Sequence, residues 1–146
     1  MRNINGANLG LQISHRFQVE CYDADGRLKW EDGFGNLVTT AGLNKYLDAT
    51  LKTGLTTPAW YVGLKDAGTV AAGDTLASHA GWAELDLIAG SNRVAFTPGA
   101  IASGSVDNSG AKAVFTIDTA DTVYGCLLCD AQTGNSGSAT LLGAGD

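Results

Sequence analysis

A mainly β domain is what this sequence predicts, and three observations predict it. Apolar and polar residues alternate over short stretches. Turn residues punctuate the chain at strand-length intervals. Among 146 residues there are 20 glycines and only 2 prolines, and much of the rest is Thr, Ser and Ala, which suits short strands and tight turns better than a helix bundle. Eight or nine short antiparallel strands of this kind fit a sandwich, a jelly roll or a small barrel.

The elements follow in order. "HRFQVECYD" sets Phe17, Val19 and Cys21 against Arg16, Gln18, Glu20 and Tyr22. "DADG" (23–26) reads as a turn, and "RLKWED" resumes with Leu28 and Trp30 on one side, so the pair predicts a hairpin. Asp23 and Asp25 invite comparison with a calcium loop, but Gly26 arrives too early and Arg27 stands at the third ligand position. In "TTAGLNKYLDATLKTG", Leu43, Tyr46, Leu47 and Leu51 fall at helical spacing, with Asn44, Lys45, Asp48 and Lys52 opposite. This predicts one amphipathic helix of about three turns, capped by Thr39 or Thr40, stopped at Gly54 and laid on a sheet by its leucine stripe.

Alternation then returns. "AWYVGLK" sets Trp60, Val62 and Leu64 inward against Tyr61, Gly63 and Lys65, and "WAELDLI" sets Ala83, Leu85 and Leu87 against Trp82, Glu84 and Asp86. "NRVAFT" and "AKAVFTID" are further strand patterns, with a weaker one near 100–106. "TVYGCLLC" is apolar on both faces, as a central strand covered on both sides would be, and "SATLLGAG" closes the set. Between the strong patterns, residues 66–81 read as a long loop with one helical turn near 74–78 that Asp74 would cap.

Charge and cysteine usage exclude several functions. The net charge is −6 and the pI about 4.6, which disfavours nucleic acid, since duplex binding relies on Lys and Arg neutralising phosphates. No run is long and apolar enough for a membrane span or a signal peptide, so synthesis in a cytoplasm is expected. Cys21, Cys126 and Cys129 are an odd set unlike a secreted disulfide framework. "CLLC" has CxxC spacing, but positions i and i+3 of a strand diverge, and no second pair or neighbouring His completes a zinc site. Buried, inert thiols are expected, with no metal and no cofactor.

The one stretch that invites a catalytic reading is "AAGDTLASHAGWAEL", which places Asp74, His79 and Glu84 close in sequence. An active site needs nucleophile, base and orienter in mutual reach. No nucleophile is identifiable, because Ser78 beside His79 diverges from it in extended chain. A structural loop, and no catalytic residue, is the expectation.

Three long stretches in the same order carry a resemblance: "WEDGFGNLVTTAGLNKYLD", "AWYVGLKDAGTVAAGDTLASHAGWAEL" and "VDNSGAKAVFTI". Together they make most of the chain, roughly 15–145, similar to a family of small virion proteins of tailed bacteriophages, the capsid cement or decoration proteins. The resemblance implies an antiparallel β-sandwich of jelly-roll type over 15–146 with one short amphipathic helix. It also implies a place on the outer capsid surface after synthesis in the host bacterium. The partners implied are the major capsid protein and a second copy of the chain, a homodimer or alternatively a trimer. It carries over no catalytic residue.

A clamp of this kind needs contact area with aromatic anchors, not a reactive pocket. Tyr22, Tyr61 and Trp82 are the outward aromatics expected to serve. Residues 1–14 have too little periodicity to fold alone and are read either as an arm that orders on a neighbour, with Arg2, Asn5, Leu9 and Leu11 as its candidate contacts, or as a frayed terminus. The alternative is a receptor- or glycan-binding module of a tail fibre or spike, whose aromatics would stack on sugars.

Overall fold

The computed structural model describes residues 12–52, 58–86, 93–134 and 137–146. It is mainly β, with antiparallel sheets and one short helix. Strands β1 (Arg16–Tyr22) and β2 (Leu28–Gly35) form the expected hairpin, in register Phe17 to Phe34 and Val19 to Asp32. Its turn is held by Asp23, whose Oδ1 accepts the backbone N–H of both Asp25 and Arg27 at 2.9 Å. An Asp at the head of a turn does this because its short side chain mimics a backbone acceptor.

The remaining strands are β3 (Leu37–Val38), β4 (Trp60–Lys65), β5 (Glu84–Leu85), β6 (Arg93–Phe96), β7 (Gly125–Cys129) and β8 (Leu141–Gly145). They build one six-stranded sheet in the order β3-β8-β7-β4-β5, with β6 pairing the first half of β4 beside β5. β7 lies between β4 and β8, and all five of its residues are buried. The apolar character of "GCLLC" on both faces has this cause.

Each face of the sheet carries a separate core. On one, Val62, Leu64, Cys126, Leu128 and Leu142 pack beneath Phe17, Val19 and Phe34 of the hairpin, Tyr46 of the helix, and Ala113 and Phe115. On the other, Leu127, Cys129, Leu141 and Ala144 meet Leu76 and Trp82 from loop 66–83, with Tyr61 at the margin. Period-two alternation distributes neighbouring residues of β4 and β7 between the two cores. In β8 a register shift opposite Leu128/Cys129 lets Leu142 join the first core while Leu141 and Ala144 join the second. A sheet covered on both faces needs apolar residues at consecutive positions, and these strands supply them.

Helix α1 (Thr40–Leu47) continues as a π-helical turn at Asp48–Lys52. Thr39 is the N-cap: its Oγ1 accepts the N–H of Gly42 at 3.1 Å and donates to the Leu141 carbonyl at 2.6 Å. The buried face differs from expectation. Gly42 lies against the Leu142 backbone and Tyr46 reaches the core, whereas Leu43, Leu47 and Leu51 are exposed, Leu51 at 79%. The contact that seats the helix is backbone on backbone, which a glycine permits and a leucine stripe cannot provide. The expected stop at Gly54 lies outside the described residues.

Three further expectations are corrected. Among the described residues, 111–117 pair with no strand, although Ala113 and Phe115 pack inward as the alternation required. The weak pattern near 100–106 is a tight turn in which Ala102 and Ser105 exchange both backbone hydrogen bonds at 2.9 Å. Ser103 and Gly104 between them have φ of 51° and 73°, the left-handed pair that such a turn demands. Among its described residues "WAELDLI" contributes to the ladder only at Glu84 and Leu85, and 87–88 lie outside the described residues.

Candidate interaction surface

The 71–85 stretch resolves into structural contacts. Residues 74–78 form no helical turn. Instead Thr75 and Ser78 exchange backbone hydrogen bonds, and Leu76 between them is driven fully into the second core. Asp74 Oδ2 accepts from the Ala71 N–H and from Trp82 Nε1, both at 2.9 Å. The His79 ring stacks on Trp82 with centroids 4.1 Å apart, and its Nδ1 lies 3.0 Å from the Trp82 carbonyl. Asp74 and His79 therefore share one task, holding the Trp82 indole. That explains their spacing around it.

Glu84 belongs elsewhere, and its expected outward position is corrected. Its carboxylate takes Arg93 Nε at 2.7 Å and a second guanidinium nitrogen at 2.6 Å, while Arg93 also donates to the carbonyls of Ala131 (2.8 Å) and Gly134 (2.9 Å). Both side chains are buried, Arg93 fully and Glu84 to 5% exposure. Burial, the largest single influence, would weaken the guanidinium's hold on its proton, but the hydrogen bonds it donates to Glu84 and the attraction of nearby negative charge together outweigh it, and the net direction is upward. Gly63 makes room for the pair: a Cβ there would stand 2.8 Å from Glu84 Oε1. Lys65, also read as outward, is fully buried and donates to Asp146 at 3.0 Å and to the Gly68 carbonyl at 3.2 Å.

Cys126 faces the first core and Cys129 the second, so the two thiols of "CLLC" do diverge. Burial pushes the Cys126 thiol up to about 12 and that of Cys129 up to about 11. Neither offers a thiolate for chemistry near neutral pH. Among the described residues, no group of three His, Cys, Asp or Glu is placed to hold a metal ion, and no helix is long and apolar enough to cross a membrane.

What the fold does present is exposed apolar surface. Beside the hairpin turn, Tyr22, Leu28 and Trp30 are about half exposed, with Tyr22 opposite Leu28 and Cys21 opposite Trp30 in the ladder. Tyr22 donates to Glu20 at 2.6 Å, and Lys112 bonds both oxygens of the same carboxylate at 2.8 Å. These hydrogen bonds, that from Lys112 foremost, hold the Glu20 carboxyl below the usual range and fix the phenol over the hairpin. The helix adds Leu43, Leu47 and Leu51, and residues 97–124 add Ile101, Val106, Val114, Ile117 and Tyr124.

Of the outward aromatics expected from the sequence, only Tyr22 is exposed. Trp82 is 6% exposed and anchors the second core, and Tyr61 is half-buried against that core. Both sit where a second covered face replaces the solvent face that alternation alone implies. Arg2, Asn5, Leu9 and Leu11 lie outside the described residues, as does most of the 1–14 arm. Trp30 and Leu28 were missed because their apolar character suggested burial. The available signal was position, since residues beside a hairpin turn overhang the sheet that covers the rest of the strand.

An open groove of ≈ 440 Å³ is lined by Gly35, Leu37, Thr69, Val70, Ala144 and Asp146, among others. Its walls are largely backbone and small side chains, and Asp146 in it is already paired with Lys65. It lacks the convergent polar groups of a small-molecule site. No family model, curated protein or solved structure matches the chain.

Proposed function

We propose that this chain is a structural virion protein, which binds the outer surface of a tailed-phage capsid and stabilises it by clamping neighbouring shell subunits. The observation that carries this reading is the distribution of exposed apolar side chains over three separate elements around a doubly packed sheet, since exposed apolar surface of this kind marks contact with other macromolecules. A clamp must touch more than one neighbour, and rigid scaffolds lose least on docking. The acidic balance of −6 suits an outer surface remote from packaged DNA. Its partners in this reading are the major capsid protein and copies of itself, as a homodimer or a trimer. The jelly-roll wiring that the sequence resemblance implies belongs to the same proposal.

The test is sedimentation of undecorated capsids with the purified protein. Saturable binding at a fixed ratio to shell subunits, with DNA retained to higher temperature, is the expected result. Tyr22→Ala and Trp30→Ala should each weaken binding about tenfold or more if the hairpin is an anchor. One observation favours a second reading, a glycan-binding module: Tyr22 and Trp30 are exposed aromatics on one hairpin. Retention on host glycans without capsid binding would establish that reading and end the first.

A further inference from the structure

Residues 97–124 run between β6 and β7 with no strand or helix among them. Ordered connections of that length usually owe their order to function or to a partner. Within them, 111–117 ("AKAVFTI") has every property of a strand except a ladder. Ala113 and Phe115 pack on the first core while Lys112, Val114 and Thr116 face solvent, Val114 at 73% exposure. The run is rich in β-branched and aromatic residues. Yet among the described residues the only backbone–backbone bond from its N–H groups is at its start, Ala111 to the Asn108 carbonyl at 2.9 Å. Solvent-exposed edges are normally blunted by charge, proline or a bulge. Here the one charge, Lys112, is turned aside onto Glu20.

We infer that 111–117 is an edge strand completed by the same strand of a second copy, antiparallel about a two-fold axis at Val114. That register commits the occupant, because the stretch is complementary to itself. Val114 meets Val114, the small Ala113 faces the large Phe115, Lys112 faces Thr116, and Asp118 faces Gly110. No like charges oppose one another. Since Ala113 and Phe115 are the core-facing residues, the pairing joins the first cores of both copies into one apolar layer. An isologous contact of this kind closes on itself and does not propagate.

This deepens the self-association in the reading above and rests on it. The test uses the full chain, by sedimentation velocity and by cross-linking. The wild type should be a dimer. Val114→Lys, which would set two ammonium groups face to face, and Val114→Pro, which interrupts the new ladder, should be monomers with unchanged circular dichroism. In a Cys21→Ser background, Val114→Cys should yield a disulfide-linked dimer under mild oxidation. Directly opposed antiparallel residues stand about 4.5–5.5 Å apart, within disulfide reach. Thr116→Cys, offset from the axis, should not.

A dimer that persists in both Val114→Lys and Val114→Pro overturns the pairing, as does a wild-type monomer at its highest soluble concentration. Capsid sedimentation separates the two proposals. A monomer that still binds capsids removes only the pairing, and a Val114-dependent dimer that ignores capsids removes only the shell-binding role.

Discussion

At the scale of single residues, the costliest decision in this chain is to bury Arg93 with Glu84. Two charges leave water, and only the two-pronged geometry plus two backbone carbonyls offsets that cost. Glu84→Gln keeps the shape but leaves a buried cation short of its counter-ion. It should lose about 3–5 kcal/mol, read as a lower urea midpoint at unchanged slope. The paired change Glu84→Leu with Arg93→Met should recover most of that loss, since it removes both desolvation penalties together. The thiols give a second prediction. With Cys126 near 12 and Cys129 near 11, a thiol reagent at neutral pH should modify only half-buried Cys21 in the native protein. All three should react in denaturant, and fast native labelling at Cys126 or Cys129 would contradict the packing described.

At the scale of elements, α1 is fixed at one end. Thr39 ties its first turn to β8, and Gly42 rests on the Leu142 carbonyl. An added methyl at Gly42 would fall onto that oxygen. Gly42→Ala should therefore lower the melting temperature despite the gain of about 1 kcal/mol in helix propensity, whereas Asn44→Ala on the exposed face should be near neutral. Thr39→Ala should cost about 1–2 kcal/mol through the lost cap.

The element pattern also shows what could be read from the chain. Hairpin, helix and the core strands β4, β7 and β8 were legible, because period and turn residues are local properties. The facing of elements was not. Leucines promise a buried stripe, but the helix docks by Gly42. Charges promise a solvent face, but Glu84, Lys65 and Arg93 are satisfied inside. Trp82 and Tyr61 were assigned to solvent because alternation cannot reveal a second layer covering the far side of a sheet. Only Tyr22 among the candidate contacts that the structure describes kept its expected exposure.

At the scale of the molecule, His15 joins the three bodies that must stay together. Its Nε2 lies 2.8 Å from the Tyr46 hydroxyl of α1, and its Nδ1 is 3.2 Å from Asn36 Nδ2, between the hairpin and β3. Burial lowers its pKa below the usual 6.5. The unfolded chain therefore binds a proton that the folded one resists. Its contribution to stability is complete above pH 6.5 and is lost as pH falls from there toward the lowered value. Denaturant midpoints taken across this range should fall with acidification in the wild type and less steeply in His15→Gln. Equal slopes in the two proteins would show that His15 is not the linked group.

The position of β8 has a consequence for how the chain is made. Residues 141–145 occupy the seat between β3 and β7, so the ladder that unites early and late parts of the sequence waits for a strand that the ribosome delivers after both of its neighbours. Until then, β3 and β7 have an empty place between them and Leu127 lacks its neighbours. A polypeptide interrupted before 141 would expose both edges and the core side chains that Leu141, Leu142 and Ala144 cover, the very surfaces by which chaperones and proteases sort unfinished products.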